Sequence, residues 1–107
     1  MKTLTSGHKY ELENFDNPGH PGQVIQFIEK VPLSGEGVPE GALQTISDGT
    51  TNEELLRVLI DRMNYLQLKF SCRENAIAIT HFETGLLWLE KRTAERKARG
   101  VEGRQLK

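Results

Sequence analysis

The sequence predicts an α+β chain: a small N-terminal antiparallel sheet followed by a C-terminal antiparallel two-helix hairpin that oligomerises. Three observations lead there. Residues 1–49 hold short apolar runs broken by Gly and Pro, the pattern of strands and turns. Residues 50–107 place apolar side chains three and four apart, the spacing of one helix face. Helix-capping signals stand in front of both long periodic stretches. A chain of 107 residues fits a single domain, with residues 1–49 as its β-rich half and 50–107 as hairpin and basic tail. Its core is modest at that size, so assembly would add to it.

The elements follow in order. In Lys9–Phe15, Tyr10 and Leu12 alternate with acids, which reads as a half-buried strand. Asn17-Pro18-Gly19 and Pro21-Gly22 mark turns. Gln23–Val31 reads as a second strand, ended by Pro32, and residues 33–41 as a Gly-rich loop. Ala42–Ile46 is the third strand candidate. Thr51-Asn52-Glu53-Glu54 resembles a capping box, and a helix to Lys69 or Phe70 follows with the stripe Leu55, Leu56, Leu59, Met63, Leu66 and Phe70. Ser71-Cys72-Arg73-Glu74 offers a second capping box before a helix from Arg73 to Lys97 or Arg99, with Gly100 and Gly103 as stop signals. The short connection makes the two helices antiparallel. The second helix has two apolar faces. Ala78, Ile79, Phe82, Leu86 and Leu89 suit the hairpin core, whereas Ile77 and Trp88, with Gly85 beside them, must meet either the sheet or another chain.

The formal net charge of −1 argues against a general duplex-DNA binder. Its distribution is uneven. Residues 1–54 carry three Lys and nine Asp/Glu, a net of −6, and residues 91–107 carry seven Lys/Arg and two Glu, a net of +5. The basic end suits an anion, the acidic half of a neighbour, or plain solvation. No apolar run is long enough to span a bilayer, and Met1–Tyr10 lacks the apolar segment of a secretory signal. Cys72 is the only cysteine, which fits a reduced cytoplasm.

No catalytic constellation is visible: no GxGxxG, Walker loop, HExxH or nucleophile elbow. His8, His20 and His81 lack metal-ligand spacing, and Glu83 and Glu90 lie too far apart for a close carboxylate pair. The expectation is a protein with no catalytic residues, no metal and no cofactor. The positive features are different. Arg92 and Arg96, one helical turn apart, with Arg99 beyond, could form a phosphate clamp of guanidinium forks, or an ordinary solvated or ion-paired face. Tyr65 lies off the apolar stripe of its helix, a stacking candidate or a plain surface tyrosine. Asn75, in the first turn of the second helix, could read a base edge or serve local capping. Asn75 and Arg92 are seventeen residues apart on one helix, about 25 Å at 1.5 Å per residue. One chain cannot wrap both around a small ligand. Two chains with helix pairs antiparallel across a two-fold axis can, giving two identical composite pockets.

The run Cys72-Arg73-Glu74-Asn75-Ala76-Ile77-Ala78-Ile79, then Leu86-Leu87-Trp88-Leu89-Glu90-Lys91-Arg92-Thr93, then Arg96-Lys97-Ala98-Arg99-Gly100-Val101-Glu102-Gly103, resembles the phage anti-Thoeris sponge family, whose helical hairpin is shared with the phage anti-CBASS sponge. The resemblance covers residues 50–103; over residues 1–49 it consists only of the sheet-then-hairpin layout. It implies a protein of the infected bacterial cytoplasm that sequesters cyclic ADP-ribose isomers, glycocyclic ones among them, without cleaving them. By the same resemblance, Tyr65 stacks on the adenine, Asn75 hydrogen-bonds the ligand, and Arg92 and Arg96 hold the diphosphate. Tyr65 stands where Phe also occurs in the family, and stacking survives that change. The resemblance further implies a homodimer, with a hexamer built as a trimer of dimers and cyclic di- or trinucleotides held at separate sites in some members. It implies neither membrane nor nucleic-acid polymer as partner. Two competing readings are a phage interaction or nucleic-acid-associated protein using the basic C-terminal region, and an enzyme that degrades the signal.

Overall fold

A computed structural model of the protein describes residues 1–100. The chain divides into two compact units, Met1–Thr51 and the residues from Asn52 onward. The first unit holds two antiparallel sheets and the second two helices, the α+β order expected.

The first sheet has the order β1 (Lys2–Thr5), β2 (Lys9–Glu11), β3 (Val24–Gln26), all antiparallel neighbours. β1 had no sequence signal, because its side chains are all exposed and show no alternation of apolar and polar. What makes it a strand is its pairing with β2, Lys2 opposite Glu11 and Thr3 opposite Tyr10, across a turn in which Gly7 takes φ 78°. β2 stops at Glu11, short of the expected Phe15, and Phe15 is fully exposed. One further bond, Leu12 N–H to the Gln23 carbonyl at 2.7 Å, continues the β2–β3 pairing. After it, the Asn14 side-chain amide donates to the carbonyls of His20 and Pro21 and shapes the loop instead. Tyr10 and Phe27 pack edge to face, with ring centroids 6.1 Å apart.

The single strand expected over Gln23–Val31 is two strands. It breaks at Phe27, which makes an isolated parallel bridge to Thr50. The Phe27 N–H donates to the His8 carbonyl, whereas the next residue, Ile28, donates to the Thr50 carbonyl. The chain therefore leaves one sheet and enters the other between adjacent residues. Gly49 lets this happen: a Cβ there would fall on the Gln26 carbonyl oxygen. β4 (Glu29–Pro32) then pairs with β5 (Leu43–Ser47) as a separate two-stranded sheet. Pro32 closes β4 from inside rather than beyond it, at the end of the strand where proline is tolerated. The loop between these strands turns on Gly35, Gly37 and Gly41, all at positive φ.

α1 (Asn52–Lys69) and α2 (Arg73–Ala98) match the expected helices. Glu53 and Glu54 in the first turn of α1, and Lys69 in its last, complement the helix dipole. The bend is locked by one side chain. Gln67 accepts from the Cys72 N–H at 2.9 Å and donates to the Cys72 carbonyl at 3.1 Å. Cys72, rather than Ser71, is the N-cap of α2, and its Sγ accepts from the Asn75 N–H at 3.4 Å. Gly100, at φ 72°, ends α2 as expected; Gly103 lies outside the described residues.

Between the helices, Leu55, Leu56, Ile60, Met63 and Leu66 half-bury against the other helix's side, where Ala78, Phe82, Leu86 and Leu89 are half-buried and Ile79 is buried. Ile60 takes the place expected for Leu59, which is exposed, and Phe70 lies in the bend beyond α1 at 85% exposure. Arg57 bridges to Glu90 across the hairpin at 3.4 Å, a half-exposed contact that contributes little. On the second face of α2, Ile77 is exposed and Trp88 is 64% exposed. Gly85, in mid-helix, lowers helix stability by about 1 kcal/mol relative to alanine.

Two predictions follow from these contacts. Gln67→Ala removes both bonds at the bend and should destabilise the hairpin by about 1–2 kcal/mol, read by denaturant unfolding followed at the helix band. Gly49→Ala should strip hydrogen-exchange protection from the Ile28 and Thr50 amides while leaving the helix content unchanged.

Candidate functional site

α2 runs without a break from Arg73 to Ala98, so it holds Asn75 and Arg92 apart as a rigid spacer. Tyr65 and Asn75 lie at the bend end of the hairpin, and Arg92 and Arg96 at the far end. The structure thus groups the four sequence-selected residues into two pairs and does not bring the pairs together within one chain.

At the bend end, Tyr65 is 55% exposed, off the packed face of α1. Lys69, one turn along, places its ammonium 4.9 Å from the ring centroid. One face of the ring is thereby covered by a cation, and a planar group can stack on the other. Sequence reasoning passed over Lys69, although its i, i+4 spacing from Tyr65 was readable. Asn75 is half-buried. Its local capping role is taken by the Cys72 thiol acting on the backbone N–H. Among the described residues, the Asn75 side-chain amide makes no hydrogen bond and remains available to a ligand.

At the far end, Arg92, Glu95, Arg96 and Arg99 line one depression of about 250 Å³. Their spacing along α2 aligns them, since residues three, four and seven apart share a helix face. Glu95 lies 3.8 Å from Lys91, so its negative charge is already shared with a cation outside the depression. Lys91 also sits over the Trp88 ring, 5.0 Å from its centroid. Arg92 and Arg99 make no ion pair among the described residues. The balance in the depression is positive, and its donors are planar forks suited to phosphate oxygens. Arg96 differs from its neighbours: it is only 6% exposed. Arg92, by contrast, is exposed. At about 250 Å³ the depression is smaller than the usual small-molecule pocket of about 300–1,000 Å³.

A larger depression, about 400 Å³, lies in the N-terminal unit between Lys2, Glu11, Glu13 and His20. No group of His, Cys, Asp and Glu among the described residues has the arrangement of a metal site. No helix among them is long and apolar enough to cross a membrane.

The described chain is thus a long antiparallel helical hairpin with an aromatic and an amide at its bend and an arginine cluster at its far end. The family model for the Acb2/Tad1 hairpin domain matches residues 35–94, more than half of the chain, and the protein belongs to that family. Over 58 residues the chain is 55% identical to a protein of Bacillus phage SBSphiJ7 named Thoeris anti-defense 1. That stretch covers 53% of this chain and 41% of the phage protein, so the chain matches about two fifths of its relative's length.

The two arginines should separate by stability. Arg96→Met should lower unfolding free energy by about 1–3 kcal/mol, because it removes a buried guanidinium. Arg92→Met, on the exposed side, should change it by less than about 0.5 kcal/mol. Thermal unfolding of both variants is the check.

Proposed function

We propose that this protein is a phage anti-Thoeris sponge acting in the cytoplasm of the infected bacterium: it binds cyclic ADP-ribose isomers, glycocyclic ones included, and withholds them without cleaving them. The observation that carries this reading is the pairing of an exposed aromatic and an unused amide at one hairpin end with an arginine depression at the other. A cyclic ADP-ribose has matching parts, a purine to stack and a diphosphate to clamp. Tyr65 stacks on the adenine, Asn75 bonds a polar edge, and Arg92 and Arg96 hold the diphosphate. Membership of the Acb2/Tad1 hairpin family and likeness to a relative named for anti-defence against Thoeris support the biological setting.

Because the two ends of α2 cannot meet, the pocket closes between two copies. Tyr65 and Asn75 of one protomer face Arg92 and Arg96 of its partner, and a two-fold dimer holds two such pockets. Higher assembly as a trimer of dimers, with cyclic di- or trinucleotides at separate sites, is compatible with this arrangement. Sequestration needs no nucleophile or general base, only slow release, so the chemistry asked of the site is recognition alone.

Calorimetry with a glycocyclic ADP-ribose tests the reading. The parent should bind at low micromolar protein or tighter. Tyr65→Phe should retain affinity, and Tyr65→Ala should lose about 5- to 150-fold, the range for one base stack. Arg92→Ala combined with Arg96→Ala should lose at least about 100-fold, since each charge-assisted bond contributes about 1.5–3 kcal/mol. Denaturing the complex should release the ligand intact. No detectable binding by the parent, or undiminished binding by the double arginine variant, would reject the assignment.

A further inference from the structure

We infer that Lys69 is a positioning residue of the stacking site: its ammonium occupies one face of the Tyr65 ring and leaves the opposite face as the one on which a nucleobase stacks. The inference rests on the stacking role proposed for Tyr65 and adds which face is used and what fixes it. Tyr65 lies outside the packed stripe of α1 and is 55% exposed. Among the described residues its ring meets no other ring and its hydroxyl makes no hydrogen bond. The Lys69 ammonium, 4.9 Å from the ring centroid, is what contacts it. A ring open on both faces offers a base no preferred side; a ring with a cation seated on one face does.

The helix itself puts Lys69 there. Residues i and i+4 share a face, and helical side chains lean toward the N-terminus, so a lysine one turn beyond an aromatic reaches back over it. Its ammonium lies within the distance of about 6 Å at which a cation is attracted to a ring face. Among the described residues Lys69 is in no salt bridge, so no carboxylate competes with the ring for its charge. The second cation–ring contact, Lys91 over Trp88, differs here, because Lys91 also pairs with Glu95 at 3.8 Å. Lys69 thus keeps its whole charge behind Tyr65. A cation behind a ring draws π density toward itself. The open face becomes less negative and takes an electron-rich purine better than an unassisted ring does. The same charge favours the anionic ligand that carries the purine.

Proton NMR and calorimetry on the full chain test this. In the ligand-free parent, the Lys69 ε-methylene protons should resonate upfield of those of lysines with no ring neighbour, and Tyr65→Ala should remove that shift. With glycocyclic ADP-ribose, Lys69→Met keeps an apolar stem without the charge and should bind about 2- to 5-fold more weakly than the parent, the range for one exposed cation–ring contact. Lys69→Arg should retain the parent's affinity, because a guanidinium also stacks on a ring. In a Tyr65→Ala background, Lys69→Met should make no difference, because the lysine acts through the ring. A loss that persists without Tyr65 assigns Lys69 a direct contact with the ligand and overturns the inference. So does Lys69→Met binding as tightly as the parent, or a parent without the upfield shift. A parent that shows the shifted protons but binds no ligand rejects the sponge reading and the positioning role together, so the two failures are told apart.

Discussion

A straight helix cannot bring its own ends together, and α2 carries Asn75 near one end and Arg92 and Arg96 near the other. The helix is continuous from Arg73 to Ala98. Asn75 and Arg92 therefore stay about 25 Å apart whatever their side chains do. The proposed two-chain pocket follows from that spacing. Under the proposed reading, a small ligand that uses both ends needs a second chain, and a dimer would be part of the binding site rather than an addition to it.

The same helix explains why so little of the hairpin is enclosed. Two helices bury one stripe each and leave the remainder to solvent. Ile79 is the only buried apolar residue among those described, and Trp88, Ile77, Val58 and Leu68 remain exposed. Hydrophobic stabilisation scales with apolar area removed from water, at about 25 cal/mol per Å². A hairpin that leaves this much apolar surface open gains more from assembly than from further packing within itself.

Within the site, exposure sorts the residues by what they can contribute. Tyr65 has one ring face under Lys69 and the other open. Asn75 keeps its side-chain amide because the Cys72 thiol caps the backbone in its place. Arg96 is buried, while Arg92 and Arg99 border the same depression from the outside. A buried donor beside exposed ones suits a diphosphate, whose charge is spread over several oxygens.

The α+β order, both helix spans and the Gly100 stop were determined by the sequence, because helix periodicity and caps are local signals repeated over many residues. The four proposed site residues were selected on an off-stripe aromatic, a first-turn amide, two arginines one turn apart and the family resemblance. The sheets were less legible. β1 has no apolar alternation and exists through its pairing with β2, and the break at Phe27 depends on Thr50 and Gly49, over twenty residues away. Strand partners are non-local, so a linear reading sees a single run where the folded chain changes sheet. The capping shift from Ser71 to Cys72 and the Lys69 cover on Tyr65 also needed coordinates, since each depends on side-chain direction rather than spacing alone. Only the tertiary structure decided which strands pair, that the Asn75 side-chain amide stays unbonded among the described residues, and that Arg96 is buried while Arg92 is exposed. Pairing and burial depend on contacts between residues far apart in sequence, which spacing along the chain does not carry.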